Sequence, residues 1–379
     1  MTSVATGRDF RMIARRRLPH FLFEYYDGAA FDGITLQANE ADLAGTELRQ
    51  RVLRDVSKIS LTTSYWGNPL EMPVILGPVG LAGLAASRGE VQAARAARSA
   101  GIPFVLSSTS ICSLSEVEET AVPWFQLYMV RDRKFVARMI EWAKELGCVT
   151  LVLTVDLPVL GRRWADGRSG LSDPGLRGKL RRSAQILRRP SWAMQVGGGG
   201  RPHTLGNIAH FLGAGTDLQR CMAWTTANIE AALDWTALDW VREQWPGKLI
   251  VKGVMDLEDG RLARERGADA LVVSNHGGRQ LDGVRSTARA LSSIASELKG
   301  KIPLFVDGGV RTGADVVRML ALGADGVFLG RLWLFALAAA GETGVKRMLS
   351  LLAEEMLITM ALIGCTSVTE IDRGCLDQC

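Results

Sequence analysis

The stretch PLFVDGGVRTGADVVRMLALGADGVFLG, residues 303–330, decides the fold. Its first run, Pro303 to Gly308, is apolar, too short for a buried helix, and stops at a turn of Asp and Gly, as a buried parallel strand does. From Gly313 to Leu322 apolar residues return at helical spacing, Gly323 suits a C-cap, and a second strand-like run follows at Gly326 to Gly330. Strand, helix and strand in close succession make a βαβ unit. The same unit recurs upstream. Runs at Pro73–Pro78, Pro103–Ser108, Trp124–Tyr128, Thr150–Asp156, Lys248–Gly253 and Ala270–Asn275 bring the strands to eight, with helical patterns at Glu90–Ser99, Asp132–Leu146, Leu257–Arg266 and Thr287–Leu298. Gly101 and Gly147 take the same capping place as Gly323. Polar residues gather at the strand C-termini, which favours a closed (β/α)8 barrel, the TIM-barrel architecture, over an open sheet, because barrels collect their chemistry on that face.

A length of 379 residues suits such a barrel with additions or two average domains, and the strand rhythm favours one domain across residues 1–379. The rhythm breaks once, where nearly a hundred residues separate the fourth strand from the fifth, so residues 161–247 read as an insertion. From Arg162 to Arg201 ten Lys or Arg face two Asp, a local +8 in a chain of net +5, so the rest nets −3. Within that segment Leu176, Leu180, Ala184, Leu187 and Trp192 share one helical face and Arg177, Arg181, Arg182, Arg188 and Arg189 lie mostly elsewhere. Two readings stand: a solvated lid packed on the barrel, or a basic amphipathic patch on an anionic membrane surface. Pro190 and Gly197 to Gly200 interrupt any long helix. Nucleic acid is not expected, for want of aromatic interleaving and of a known motif.

A 47% hydrophobic and 22% charged composition is that of a packed globular protein. Arg8, Arg11, Arg15, Arg16 and Arg17 precede no apolar stretch or small-residue cleavage pattern, so a secretory signal is not expected and the chain is placed in the cytoplasm. The longest apolar tract, Gly326 to Ala340, is interrupted by Arg331 and is too short to span a bilayer. Cys112, Cys148, Cys221, Cys365, Cys375 and Cys379 make no CxxC and no metal-ligand spacing, so free thiols and no metal are expected, with Cys375 and Cys379 on a frayed tail.

Two Gly-rich turns end the last two strands, Asp307-Gly308-Gly309-Val310-Arg311 and Gly330-Arg331. In a barrel they adjoin, bare their backbone N–H groups, and make a phosphate site with Arg311 and Arg331. The sixth strand ends in SNHGGRQLD, Ser274 to Asp282, which carries His276, one of only four histidines, and Arg279 three residues on. A neutral imidazole can take a proton near pH 7, and a guanidinium can hold a carboxylate with two hydrogen bonds, a pairing suited to proton abstraction from a hydroxy acid. Asp156, ending the fourth strand, is a candidate to orient the imidazole, or else a cap. Lys252, closing the fifth, could stabilise charge on a cofactor or form a Schiff base as in barrel aldolases, and the residues alone leave both open. Arg163 is a second carboxylate ligand or a surface residue, and Tyr25 and Tyr128 offer hydroxyls or packing.

These motifs together resemble the FMN-dependent 2-hydroxy acid dehydrogenases and oxidases, over nearly the whole chain. SNHGGRQLD resembles their active-site signature, which implies His276 as base and Arg279 on the substrate carboxylate. LPHFLFEYYDGAA resembles an N-terminal helical segment delivering Tyr25 to the substrate; WFQLY places Gln126 at the flavin and Tyr128 at the substrate. TVDLPVLGRR places Thr154 at the flavin, Asp156 behind the base and Arg163 on the carboxylate, and VKG sets Lys252 beside the flavin N1 and C2 carbonyl. The resemblance further implies Pro78, Val79, Gly80, Ser107 and Ser274 along the flavin, and Asp307, Gly308, Gly309, Arg311, Gly330 and Arg331 at its phosphate. Within the family the insertion, the SNHGGRQLDGVRSTARAL run and the tail are most similar to the bacterial membrane-associated L-lactate dehydrogenases, with (S)-mandelate dehydrogenases the nearest rivals. Gly80 stands where the oxidases tend to carry Ala, which points to an acceptor other than oxygen. The run Trp164 to Gly167 departs from the lactate enzymes, which carry more acidic and aromatic residues there. With no cytochrome domain ahead of the barrel, the implied acceptor is a separate one of quinone type, reached from the inner face of the cell membrane, and the implied assembly is a homotetramer.

Overall fold

The computed structural model describes residues 4–213 and 215–377. Three helices come first, α1 (Gly7–Arg17), α2 (His20–Asp27) and α3 (Ile34–Ala44), then a hairpin of β1 (Thr63–Tyr65) and β2 (Asn68–Leu70). The barrel follows: β3 (Val74–Leu76), α4 (Gly89–Ser99), β4 (Val105–Ser107), α5 (Leu114–Glu118), β5 (Trp124–Tyr128), α6 (Arg133–Glu145) and β6 (Thr150–Thr154). Six helices separate β6 from β7: α7 (Trp164–Ser169), α8 (Leu176–Leu187), α9 (Pro190–Trp192), α10 (Gly206–Leu212), α11 (Leu218–Ala227) and α12 (Trp235–Gln244). The chain ends with β7 (Lys248–Val254), α13 (Leu257–Glu265), β8 (Ala270–Val273), α14 (Thr287–Leu298), β9 (Leu304–Val306), α15 (Gly313–Ala321), β10 (Gly326–Leu329) and α16 (Arg331–Ile363), the last kinked at Ala340 and Gly341.

Strands β3 to β10 are all parallel, in the order β3-β10-β9-β8-β7-β6-β5-β4, and a bridge from Leu76 to Phe104 joins the two ends. The eight expected runs are the eight strands of a TIM barrel. Ile75, Val105, Val152, Ile250, Val272, Phe305 and Phe328 point inward and fill it, while the alternate residues pack under the helices, as the two-residue period of a strand requires. Gly101, Gly147 and Gly323 follow their helices with positive φ, as C-caps do.

The hairpin β1–β2 is absent from the sequence reading. Its Tyr65 and Trp66 meet Phe305 and Trp124 edge-on or tilted, and the Tyr65 hydroxyl donates to the Asp325 carbonyl (2.7 Å), so the hairpin closes the N-terminal end of the barrel. The range 161–247 also takes in α12, whose Ala237, Leu238 and Val241 are buried and whose Asp239 pairs with Arg266 after α13; α12 completes the fourth strand–helix unit. Cys375 is no part of a frayed tail. It is buried with its Sγ 3.5 Å from that of Cys365, and Leu376 bridges to Leu48; Cys379 lies outside the described residues. Among the described residues no group could hold a metal ion, and no helix is long and apolar enough to cross a membrane.

Candidate active site

Every residue of Ser274–Asp282 but the exposed Leu281 has an evident task, which explains why so polar a run ends a buried strand. Ser274 Oγ accepts from Lys252 Nζ (2.8 Å) and from the His276 backbone N–H (3.1 Å). Asn275 pairs amide to amide with Asn39 of α3 (2.9 and 2.8 Å). His276 Nδ1 lies 2.9 Å from Asp156 Oδ1; with Nδ1–H donating, Nε2 keeps its lone pair. His276 has φ +57°, a left-handed conformation costing about 1–3 kcal/mol at a non-glycine residue, of the kind that collects at functional sites. The turn continues through Gly277 and Gly278, both at positive φ, and a Cβ on Gly278 would stand 2.7 Å from the Leu36 backbone N. Arg279 Nη1 donates to the carbonyls of Tyr25 (2.7 Å) and Gly28 (3.0 Å). Gln280 ties the loop to the β6 exit through the Asp156 and Val159 carbonyls, and Asp282 accepts from Gly33 and Thr35 N–H groups at the start of α3.

These groups border a cavity at the C-terminal end of the barrel, lined from the loops after seven of the strands and, on β7, by Lys252 of the strand itself. Of the expected residues, Tyr25, Pro78, Val79, Gly80, Tyr128, Thr154 and Arg163 line it; so do Lys252, His276, Arg279, Asp307, Gly308, Gly309, Arg311, Gly330 and Arg331. Four stand directly behind. Ser107 Oγ donates to Gln126 Oε1 (2.9 Å), and Gln126 Nε2 donates to Thr154 Oγ1 (3.0 Å), a row across β4, β5 and β6; Asp156 backs His276, and Ser274 backs Lys252.

Charge divides the cavity into two anion-seeking ends. At one end the Tyr25 ring lies between the guanidiniums of Arg163 (5.2 Å) and Arg279 (5.1 Å). Arg163 is matched by Asp166 (2.9 Å) at the start of α7. Arg279 has no carboxylate partner among the described residues, and burial with Arg163 close by lowers its pKa. At the other end Arg311 pairs with Glu40 (2.8 Å), but Arg331 donates only to carbonyls, of Tyr26, Gly277 and Gly28. Burial, with Arg279 and Arg311 nearby, pushes Arg331 down to about 9. A guanidinium keeps its proton at neutral pH, so both crowded cations call for an anion rather than deprotonation.

Lys252 is different. Burial alone would push its ammonium down, but Asp307 (2.9 Å) and Asp156 outweigh that and hold it above its ordinary value. A Schiff-base nucleophile must be neutral, so this pairing speaks against an aldolase.

The chain matches the FMN-dependent dehydrogenase family over residues 14–378. It belongs to that family. The curated L-lactate dehydrogenases of Chromohalobacter salexigens and of a Caulobacter strain are each 52% identical over 375 residues, 98% of this chain and 95% and 98% of theirs. The crystal structure of the monotopic membrane protein (S)-mandelate dehydrogenase superposes with a TM-score of 0.93 at 35% identity, covering 99% of this chain and all of that one.

FMN is the cofactor of the family, and the dehydrogenase has a cavity that fits it on three observations of its own. Arg331 is a half-buried cation that faces the cavity and has no carboxylate partner among the described residues, suited to a phosphate. Gly330 has open space where a Cβ would stand, so backbone is bared to the cavity there. Asp307 Oδ1 is buried and unpartnered, an acceptor awaiting a donor.

The sequence reading missed two kinds of residue. Leu205, Met222, Thr225, Thr226 and Ile229 line the cavity from the insertion, brought there because Ile229 bridges Val130 beyond β5. Asn39 and Glu90 support loops without lining it. Buried Glu90 Oε1 accepts from Gly83 (2.8 Å) and Ile111 (3.0 Å), joining the loops after β3 and β4. For Asn39 and Glu90 the one available signal is a polar residue within a helical pattern, which surface residues give equally, and the insertion residues carry none.

Proposed function

We propose that the enzyme oxidises a small (S)-2-hydroxy acid, L-lactate before (S)-mandelate, to the 2-oxo acid. The observation that carries this is Arg279, a half-buried guanidinium with no carboxylate of its own among the described residues, in the same loop as the His276–Asp156 pair. Arg279 and Arg163 hold the substrate carboxylate, with Tyr25 between them and Tyr128 beside. His276 Nε2 takes a proton from the substrate CH–OH group, and Asp156 keeps the ring oriented and offsets the charge it gains. FMN, when bound, supplies the two-electron acceptor. Pro78, Val79, Gly80, Thr154 and Lys252 hold its ring system, with Ser107, Gln126 and Ser274 fixing those contacts from behind. Gly308, Gly309, Arg311, Gly330 and Arg331 hold its phosphate end, and Asp307, paired with Lys252, offers its free acceptor oxygen to a hydroxyl of the cofactor between the two ends.

Electrons then pass to a quinone-type acceptor, a reading that Gly80 in the cavity wall supports over oxygen. The names of the curated relatives support lactate. Peripheral attachment to the inner face of the cell membrane is supported by α8, whose Leu176, Leu180 and Leu187 are 73%, 62% and 79% exposed among basic residues. A homo-oligomer, a tetramer by family resemblance, is supported by Leu53, fully exposed in a left-handed conformation beside exposed Val52.

His276→Ala is expected to abolish flavin reduction by L-lactate, a loss of at least about 100-fold, while the protein stays yellow. Flavin reduction at a near-normal rate would sink the assignment. Anaerobic bleaching by L-lactate and by (S)-mandelate, compared on the wild type, tests the substrate; faster bleaching by mandelate overturns the preference for lactate.

A further inference from the structure

Asn39 sits on α3, outside the barrel, yet its carboxamide is fully buried and engaged on both atoms. Nδ2 donates to Asn275 Oδ1 (2.9 Å), and Oδ1 accepts from Asn275 Nδ2 (2.8 Å) and from the Thr287 backbone N–H (3.1 Å) at the start of α14. Asn275 Oδ1 also accepts from the Gly278 N–H (3.2 Å), closing the turn that contains His276. Two buried carboxamides satisfy one another in a single mutual orientation, so Asn39 dictates which way the Asn275 amide faces. That orientation places the acceptor for Gly278 and so stabilises the left-handed His276 between them. The His276 backbone N–H and Nδ1 are held by Ser274 and Asp156, both at strand ends of the barrel. Asn39 fixes the turn itself, and does so from another part of the chain.

The same residue backs the turn after β9. A Cβ on Gly309 would stand 2.3 Å from the Asn39 carbonyl oxygen, and one on Gly308 would stand 3.3 Å from Asn39 Nδ2. One residue therefore stands against both loops: its side chain bonds the turn that carries His276, and its backbone carbonyl lies close under Gly309. We propose that Asn39 is a positioning residue for the dehydrogenation, setting the turn that aims His276 into the cavity in register with the Gly308–Gly309 loop. This rests on His276 being the base, as set out above.

Asn39→Asp is close to isosteric but offers only acceptors. It faces Asn275 Oδ1 with like charge, and Asn275 can restore a bond only by turning its amide and withdrawing the acceptor from Gly278. In the FMN-loaded variant the rate of flavin reduction per bound FMN is expected to fall about 10- to 100-fold, a part of what a general base contributes. The KM for L-lactate is expected to stay within about 3-fold, because Arg279 is anchored separately on Tyr25 and Gly28. The His276 ring titration, followed by NMR in protein with labelled histidines, is expected to move. An Asn39→Ala, Asn275→Ala double-mutant cycle tests the same link without a carboxylate: the double variant should reduce flavin no more slowly than the slower single. Normal reduction per bound FMN with an unmoved His276 titration overturns the proposal, even if FMN affinity or thermal stability drops, and so do additive losses in the cycle. His276→Ala run in parallel separates the two ideas. A near-normal rate there removes the base and this proposal together; a lost rate there with normal Asn39 variants removes the positioning role alone.

Discussion

The bond between Asp156 and His276 has a pH dependence of definite sign. Burial alone would raise the Asp156 carboxyl, but His276 and Lys252 outweigh it and hold the group below its ordinary 3.8. A carboxylate depressed in the folded state adds stability above its unfolded pKa, and that stability is lost as pH falls through the folded value. Melting temperatures of the wild type and of Asp156→Asn should therefore differ most at about pH 5 to 7 and converge below about pH 4. A gap that persists undiminished to about pH 3 would contradict the pairing. His276, Arg279, Asp156 and Lys252 were legible in the sequence because their types are scarce at the ends of apolar runs, and a strand end in a barrel is where chemistry sits. Asn39 was not legible. Its partner Asn275 is 236 residues away, and an Asn in a helical pattern looks the same whether it meets water or a second amide.

Helix α8 raises a separate question, because its sequence pattern and its environment disagree. A helix with an apolar face ordinarily buries that face, and Leu176, Leu180 and Leu187 leave theirs exposed while Arg182 turns back to the carbonyls of Gly170 and Asp173. The helix is nevertheless fixed to the protein, since Gln185 accepts from the Phe21 N–H (2.7 Å) on α2, the helix that carries Tyr25. Replacing Leu176, Leu180 and Leu187 with Asp should leave flavin reduction by L-lactate unchanged and abolish sedimentation with anionic phospholipid vesicles. Unaltered vesicle binding would remove α8 as the contact, and no binding by the wild type would overturn the membrane reading. The amphipathic pattern was plain from spacing, but spacing left a lid and a membrane patch equal, because periodicity records which residues share a face and not what that face meets. The hairpin β1–β2 escaped because its strands, Thr-Ser-Tyr and Asn-Pro-Leu, hold no apolar run like those of the equally short barrel strands, and the pair is held by aromatic contacts to β5 and β9.

At the scale of the molecule, the exposed apolar residues also gather where α16 ends. The Arg51 N–H donates to the Leu362 carbonyl (3.0 Å), which brings the exposed Val52–Leu53 stretch to the end of α16 that carries exposed Leu362 and, one turn earlier, Ile358. Leu53 has φ +57° and is wholly exposed, a strained backbone that gains nothing from burial within one chain. Wild-type protein should sediment as a homo-oligomer, and Leu53→Asp with Ile358→Asp should shift it to smaller species. An unchanged oligomer would remove this face as the contact, and a monomeric wild type would overturn the homo-oligomer. The barrel itself was determined by sequence alone, since a buried parallel strand must be a short apolar run and eight such runs at regular spacing admit few arrangements. The identity of the loops that hold chemistry followed from it. The tertiary structure alone decided which charges are left without a partner. Arg163 finds Asp166 and Arg311 finds Glu40, while Arg279 and Arg331 are half-buried against carbonyls, and only the folded chain sets these distances. A Coulomb interaction depends on separation and on burial, and neither quantity is carried by the order of residues.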